Sequence, residues 1–80
     1  MKKRALIVKN PKAKVVFRET ALEVVSPEER LLIGFRHITG LFVHKNVRMS
    51  IGEALKISKH IPVILIDKRG YLLGEIKCAM

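Results

Sequence analysis

The segment from Leu41 to Glu75 constrains this chain more than any other, because it reads without interruption as strand, capped helix, buried strand, tight turn and strand. Leu41-Phe42-Val43-His44 is a short β run. Ser50 opens a helix and Glu53 stands three positions on, the spacing at which a cap hydroxyl and a returning carboxylate satisfy two backbone donors reciprocally. His60-Ile61-Pro62 ends that helix near Lys59, since the residue before a proline is pushed out of the α region. Val63-Ile64-Leu65-Ile66 follows, four apolar residues without alternation, the pattern of a strand covered on both faces. Asp67-Lys68-Arg69-Gly70 has the polar start and glycine end of a type I turn, and Tyr71 to Ile76 returns as a hairpin partner. Strands joined through a helix usually run parallel, so residues 41–44 and 63–66 are expected as parallel neighbours. Ile51, Ala54, Leu55 and Ser58 form the helix face expected to turn toward them.

The first half reads as an antiparallel β-meander. Arg4 to Lys9 is strand-like, Asn10-Pro11 signals a turn, Lys14 to Arg18 is a second strand and Thr20 to Val25 a third. Ser26-Pro27-Glu28-Glu29 breaks the pattern and could also open a helix, but Leu31 to Phe35 is too short and apolar to sustain one and is taken as a fourth strand. Phe35 to Gly40 is a connector with room for one 3₁₀ turn. The expected class is therefore α+β, mainly β: an N-terminal antiparallel β-meander followed by a β-α-β-β unit with one short helix.

The series Val43-His44-Lys45-Asn46-Val47, Ser50, a short helix, Ile61-Pro62-Val63-Ile64-Leu65-Ile66-Asp67-Lys68-Arg69-Gly70 and Leu72-Leu73-Gly74 resembles the N-terminal domain of the CRISPR-associated integrase, the endonuclease that inserts new spacers during adaptation. Lys45 stands where that family often has Gly before Asn-Val, and His60 where Gly often precedes Ile-Pro. The resemblance implies one N-terminal β-rich domain over residues 1–80, without a catalytic residue, metal ligand or cofactor of its own. The family's metal-binding glutamate, histidine and acidic residue, with their divalent Mg or Mn, belong to a C-terminal helical domain beyond residue 80. It also implies a homodimer paired through the β-rich part, DNA framed across that dimer, and the small second CRISPR adaptation protein as a further partner.

Size and charge fit such a role without requiring it. A domain of 80 residues buries little more than half of its unfolded surface, yet 49% of the residues are hydrophobic. That excess is either surface that other protein covers or the normal reading of strands covered on two sides. Residues 1–18 hold seven cations, Lys2, Lys3, Arg4, Lys9, Lys12, Lys14 and Arg18, and no acid, whereas the rest of the chain is nearly balanced. Such asymmetry attracts a polyanion, although lysine on an edge strand also guards against aggregation. The single cysteine, Cys78, permits no internal disulfide, and no apolar run reaches membrane-spanning length, so the cytoplasm is the default compartment.

No constellation for chemistry emerges from the residues themselves. His37, His44 and His60 lie in a connector, at a strand end and at a helix end, without the spacing that puts two imidazoles on one helical face. Glu19, Glu23, Glu28 and Glu29 read as turn or solvent-facing strand residues, Glu53 as a capping partner and Asp67 as a turn acceptor. The candidate phosphate contacts are Lys12, Lys14 and Arg18 on the early hairpin and Lys68 with Arg69 at the later turn tip, the tip being the sharper expectation because adjacent cations at an exposed hairpin end reach a backbone phosphate. Phe17, Phe35, Phe42 and Tyr71 are the whole aromatic complement, which weakens an RNA-recognition or OB-type reading. The alternative to the integrase domain is a stand-alone basic module that binds nucleic acid or protein. A small hydrolase comes last.

Overall fold

The computed structural model describes residues 3–76; Lys2 and Cys78 lie outside the described residues. In chain order the elements are β1 (Arg4–Val8), β2 (Lys14–Arg18), β3 (Ala21–Val25), β4 (Arg30–Gly34), a 3₁₀ turn (Phe35–His37), β5 (Ile38–His44), α1 (Ile51–Ser58), β6 (Val63–Ile66) and β7 (Leu72–Ile76). They form two sheets: a four-stranded mixed sheet in the order β1-β5-β6-β7, and a three-stranded antiparallel sheet in the order β2-β3-β4. The mainly β, α+β class holds. So does the parallel pairing of β5 with β6, in register from Leu41 opposite Val63 to His44 opposite Ile66.

The first strand departs from the expected meander. β1 lies parallel to β5, with Leu6 opposite Leu41 and Val8 opposite Val43, so that β2 to β4 alone make the meander. Beside β5, Leu6 and Val8 turn to the core next to Leu41 and Val43, whereas Ala5 and Ile7 stay exposed on the other side. The turn after it also does not fold β2 back onto β1. Ala13 N–H donates to the Asn10 carbonyl at 2.9 Å and Lys12 N–H to Asn10 Oδ1 at 2.9 Å, and the chain passes into the other sheet. β5 is longer than expected, taking over Ile38 to Gly40 and confining the 3₁₀ turn to Phe35–His37.

The inner faces of the two sheets enclose the core. Val15 and Leu22 from the small sheet meet Val8, Leu41, Val43 and Val63 from the large one, with Ile38, Ile57 and Ile61 closing the layer. Each such side chain contributes about 1.5–3 kcal/mol on full burial. The helix fills one flank with Ala54 and Ile57 buried, whereas Ile51, expected on that face, is 78% exposed.

That rotation follows from Glu53. Ser50 Oγ accepts the Glu53 N–H at 3.1 Å as the capping pattern requires, but the Glu53 carboxylate does not complete the reciprocal arrangement: its Oε2 accepts the Phe17 N–H at 2.7 Å on the outer edge of β2. The same edge is tied further up, where Val15 N–H donates to the Arg48 carbonyl at 2.9 Å and Arg48 N–H to the Ala13 carbonyl at 3.0 Å. The helix is thus docked by its first turn onto a strand edge whose donors would otherwise lack partners.

Replacing Glu53 with alanine therefore orphans a partly buried backbone donor, and urea unfolding should show a loss of about 1–3 kcal/mol. Ser50→Ala, which removes only the cap, should cost about 1 kcal/mol. Equal or smaller damage from Glu53→Ala would contradict the docking role.

Candidate nucleic-acid interface and pairing face

The parallel strands β1, β5 and β6 all end on one side of the molecule, so the residues that follow them are gathered there: Lys9 after β1, Lys45 and Asn46 after β5, and Asp67-Lys68-Arg69-Gly70 after β6. His44, Lys45, Asn46, Asp67, Lys68 and Arg69 line one shallow cleft. Lys9 reaches the same end from the outer side, its Nζ standing 4.0 Å from where a Cβ on Gly70 would lie. Asp67 is the acid in this cleft, and its Oδ1 is engaged as the turn acceptor expected of it, taking the N–H groups of Arg69 at 2.9 Å and Tyr71 at 3.0 Å. Gly70 has φ +88°, the left-handed conformation that lets the chain reverse with Lys68 and Arg69 at the exposed tip.

The five predicted contact residues divide. Lys68 and Arg69 sit at this end, and Lys14, exposed at the start of β2, is bridged to Arg48 just beyond β5. Lys12 is exposed in the turn between β1 and β2. Arg18 is at the far end of β2, about 13 Å further along the strand. It is not a bare cation: its Nη2 lies 2.7 Å from Glu23 Oε1, and Arg30 Nε lies 3.2 Å from Glu23 Oε2. Glu23, expected to face solvent, is only 7% exposed, because two guanidinium groups close over it on the outer face of the small sheet. Lys9, Lys45 and Arg48 were not among the predicted contacts. The signal that finds them is the parallel strand order, which aligns the residue after each strand.

The outer face of the large sheet is the second surface. Alternation from the register places Ile7, Phe42, Ile64, Ile66 and Leu72 there, opposite the core, together with the polar His44 beside Ile66 and Glu75 beside Ile64. Ile66 is buried at the rim and Phe42 and Ile64 are half-buried, but Ile7 is 57% and Leu72 66% exposed. The uniform apolar run of β6 is therefore covered fully at Val63 and Ile66 and only in part between them. Ile7, Lys9, Phe42, Ile66, Gly70 and Leu72 line a single shallow apolar groove that opens onto the basic end.

Among the described residues no three His, Cys, Asp or Glu side chains come together in a way that could hold a metal ion. His44 is buried with Nδ1 accepting the Asn46 N–H at 3.1 Å, and His60 is stacked on Phe35. No helix among the described residues is long and apolar enough to cross a membrane.

No protein-family model matches the chain, and no curated protein matches it. Solved structures do. A chain of a partial Cas6-RT-Cas1–Cas2 complex superposes with a TM-score of 0.78 at 16% identity, over 99% of this chain and 24% of that one. A CAS1 protein from Thermotoga maritima superposes with a TM-score of 0.72 at 15% identity, over 99% of this chain and 25% of that one. The chain thus has the fold of part of a Cas1 protein and spans about a quarter of the length of the solved chains it matches.

Glu23→Gln should leave Arg18 and Arg30 facing each other without a counter-charge. The expected loss in urea unfolding is about 1–2 kcal/mol, modest because both arginines are more than half exposed. A neutral or stabilising result would show that the carboxylate does not hold this face together.

Proposed function

We propose that the chain is the subunit-pairing and DNA-framing β domain of a CRISPR-associated adaptation integrase, with the phosphodiester chemistry carried by segments other than these residues. The observation that carries the reading is the apolar outer face of the large sheet, opening directly onto a basic strand end, on a fold shared with part of Cas1. A contiguous exposed apolar surface normally marks a place that other protein covers. Here Ile7 and Leu72 remain open, and a second copy of the domain laid against them supplies that cover. Pairing of this kind sets two basic ends at a fixed separation, which is what framing a duplex needs.

The basic end acts by charge. Lys9, Lys45, Lys68 and Arg69 contact backbone phosphates, a sequence-independent interaction that weakens as salt rises and that sets the position of DNA without reading its bases. Arg18 is held by Glu23 and contributes less than its charge suggests. The solved complex named above contains Cas1 with Cas2, and we take the same small protein as the partner of the full-length assembly, working in the cytoplasm on DNA.

Two measurements test the two halves of this reading. In sedimentation equilibrium the chain should dimerise with rising concentration, and Ile7→Ser with Leu72→Ser should return it to monomer; a wild-type chain that stays monomeric at high concentration would refute the pairing role. In fluorescence anisotropy with mixed-sequence duplexes, Lys68→Glu with Arg69→Glu should weaken binding uniformly and flatten the log-log salt dependence by about one unit per residue. Unchanged affinity and slope would remove the tip from the interface.

A further inference from the structure

We propose that Phe17, Phe35 and His60 form a docking place for one unpaired nucleobase, at the opposite end of the sandwich from the Lys68-Arg69 tip. The chain has few aromatic residues, yet it brings two of its three phenylalanines and one histidine into a single raft. Phe35 and His60 are stacked with centroids 4.6 Å apart and planes 3° from parallel. Phe17 lies 5.9 Å from each, tilted by 30° and 27°. The raft sits where β5 and β6 begin, and the cationic tip where they end, so the length of the strands separates the two surfaces.

Core packing accounts for Phe35, which is buried, but not for His60. That residue is exposed where the chain leaves α1, and its backbone N–H is already satisfied by the Ile57 carbonyl at 2.9 Å. Nothing in the turn requires an aromatic ring there, and the imidazole extends the stacked surface of Phe35 out to solvent. One cation lies against the raft and two more adjoin its residues in the chain. Lys56 Nζ lies 6.0 Å from the Phe17 centroid, Lys59 is exposed beside His60, and Arg36 is exposed beside Phe35. The carboxylate of Glu53 on this flank is taken up by the Phe17 N–H. An exposed ring continuous with a stacked pair, bordered by cations, suits a flat π system that carries phosphate: a base stacks on the ring and the cations meet its flanking phosphates. Phe35 is buried with His60 stacked on it, so the exposed imidazole has room for a single base and not a tract.

The inference rests on the DNA-binding role proposed above but on different residues, and the test keeps the two apart. Binding of a short oligothymidylate, of an abasic strand of equal length and of a duplex is measured by anisotropy at one salt concentration. The wild-type chain should prefer the oligothymidylate over the abasic strand by about five-fold or more. His60→Ala, a surface change, should abolish that preference while leaving abasic affinity unchanged, and His60→Tyr, which keeps a ring, should retain it. Lys68→Glu with Arg69→Glu should lower binding of the duplex and leave the preference intact. Equal wild-type affinity for the two single strands, no binding of either, or a preference that survives in His60→Ala would overturn the site. Loss of duplex binding alone would bear only on the tip.

Discussion

Everything in this molecule depends on the apolar layer shared by the inner faces of its two sheets. Val15, Leu22, Leu41, Val43 and Val63 are essentially excluded from water, and they come from four different strands. In a domain this small the margin left after conformational entropy is thin, so the inner positions are committed to stability. Function is left with the surfaces that layer does not use: the outer face of the large sheet, the strand ends and the edges. The parallel arrangement of β1, β5 and β6 decides what those surfaces carry, because it stacks three strand ends, with Lys9, Lys45 and Lys68 following them, at one pole.

The flanks of the sandwich are treated unequally. On one, Arg48 and Glu53 occupy the edge of β2 by backbone and side-chain hydrogen bonds, and the helix lies over it. On the other, β1 and β4 are the end strands of their sheets, with no further strand paired to them among the described residues. Arg4 at the start of β1 with an irregular register beside it, and Arg30 at the start of β4, are features that discourage indiscriminate edge pairing.

Much of the second half was legible in the sequence because its signals are local. The Ser50 cap, the Pro62 break and the Asp67 to Gly70 turn each act within a few residues, and the parallel pairing of β5 and β6 follows from the helix between them. What was not legible depends on which elements meet. β1 reads as a strand from its composition, but only the whole fold decides that it joins β5. Ile51 fits an apolar helical face as well as Ile57 does, until Glu53 reaches across to Phe17 and sets the rotation. Glu23 looks like a solvent-facing residue because the two arginines that bury it, Arg18 and Arg30, lie on the neighbouring strands to either side. The basic cleft was half visible: the turn tip stands out as Lys68-Arg69, whereas Lys9 and Lys45 gain meaning only from parallel order.

The most direct test of the account is solvent paramagnetic relaxation of side-chain methyl groups, measured on the 80-residue chain at low and high protein concentration. If the outer face of the large sheet is where a second copy sits, the methyls of Ile7, Ile64 and Leu72 should lose solvent accessibility as concentration rises, while those of Leu32 and Ile51 should not. Shielding at Leu32 or Ile51 with Ile7 and Leu72 unchanged would contradict it.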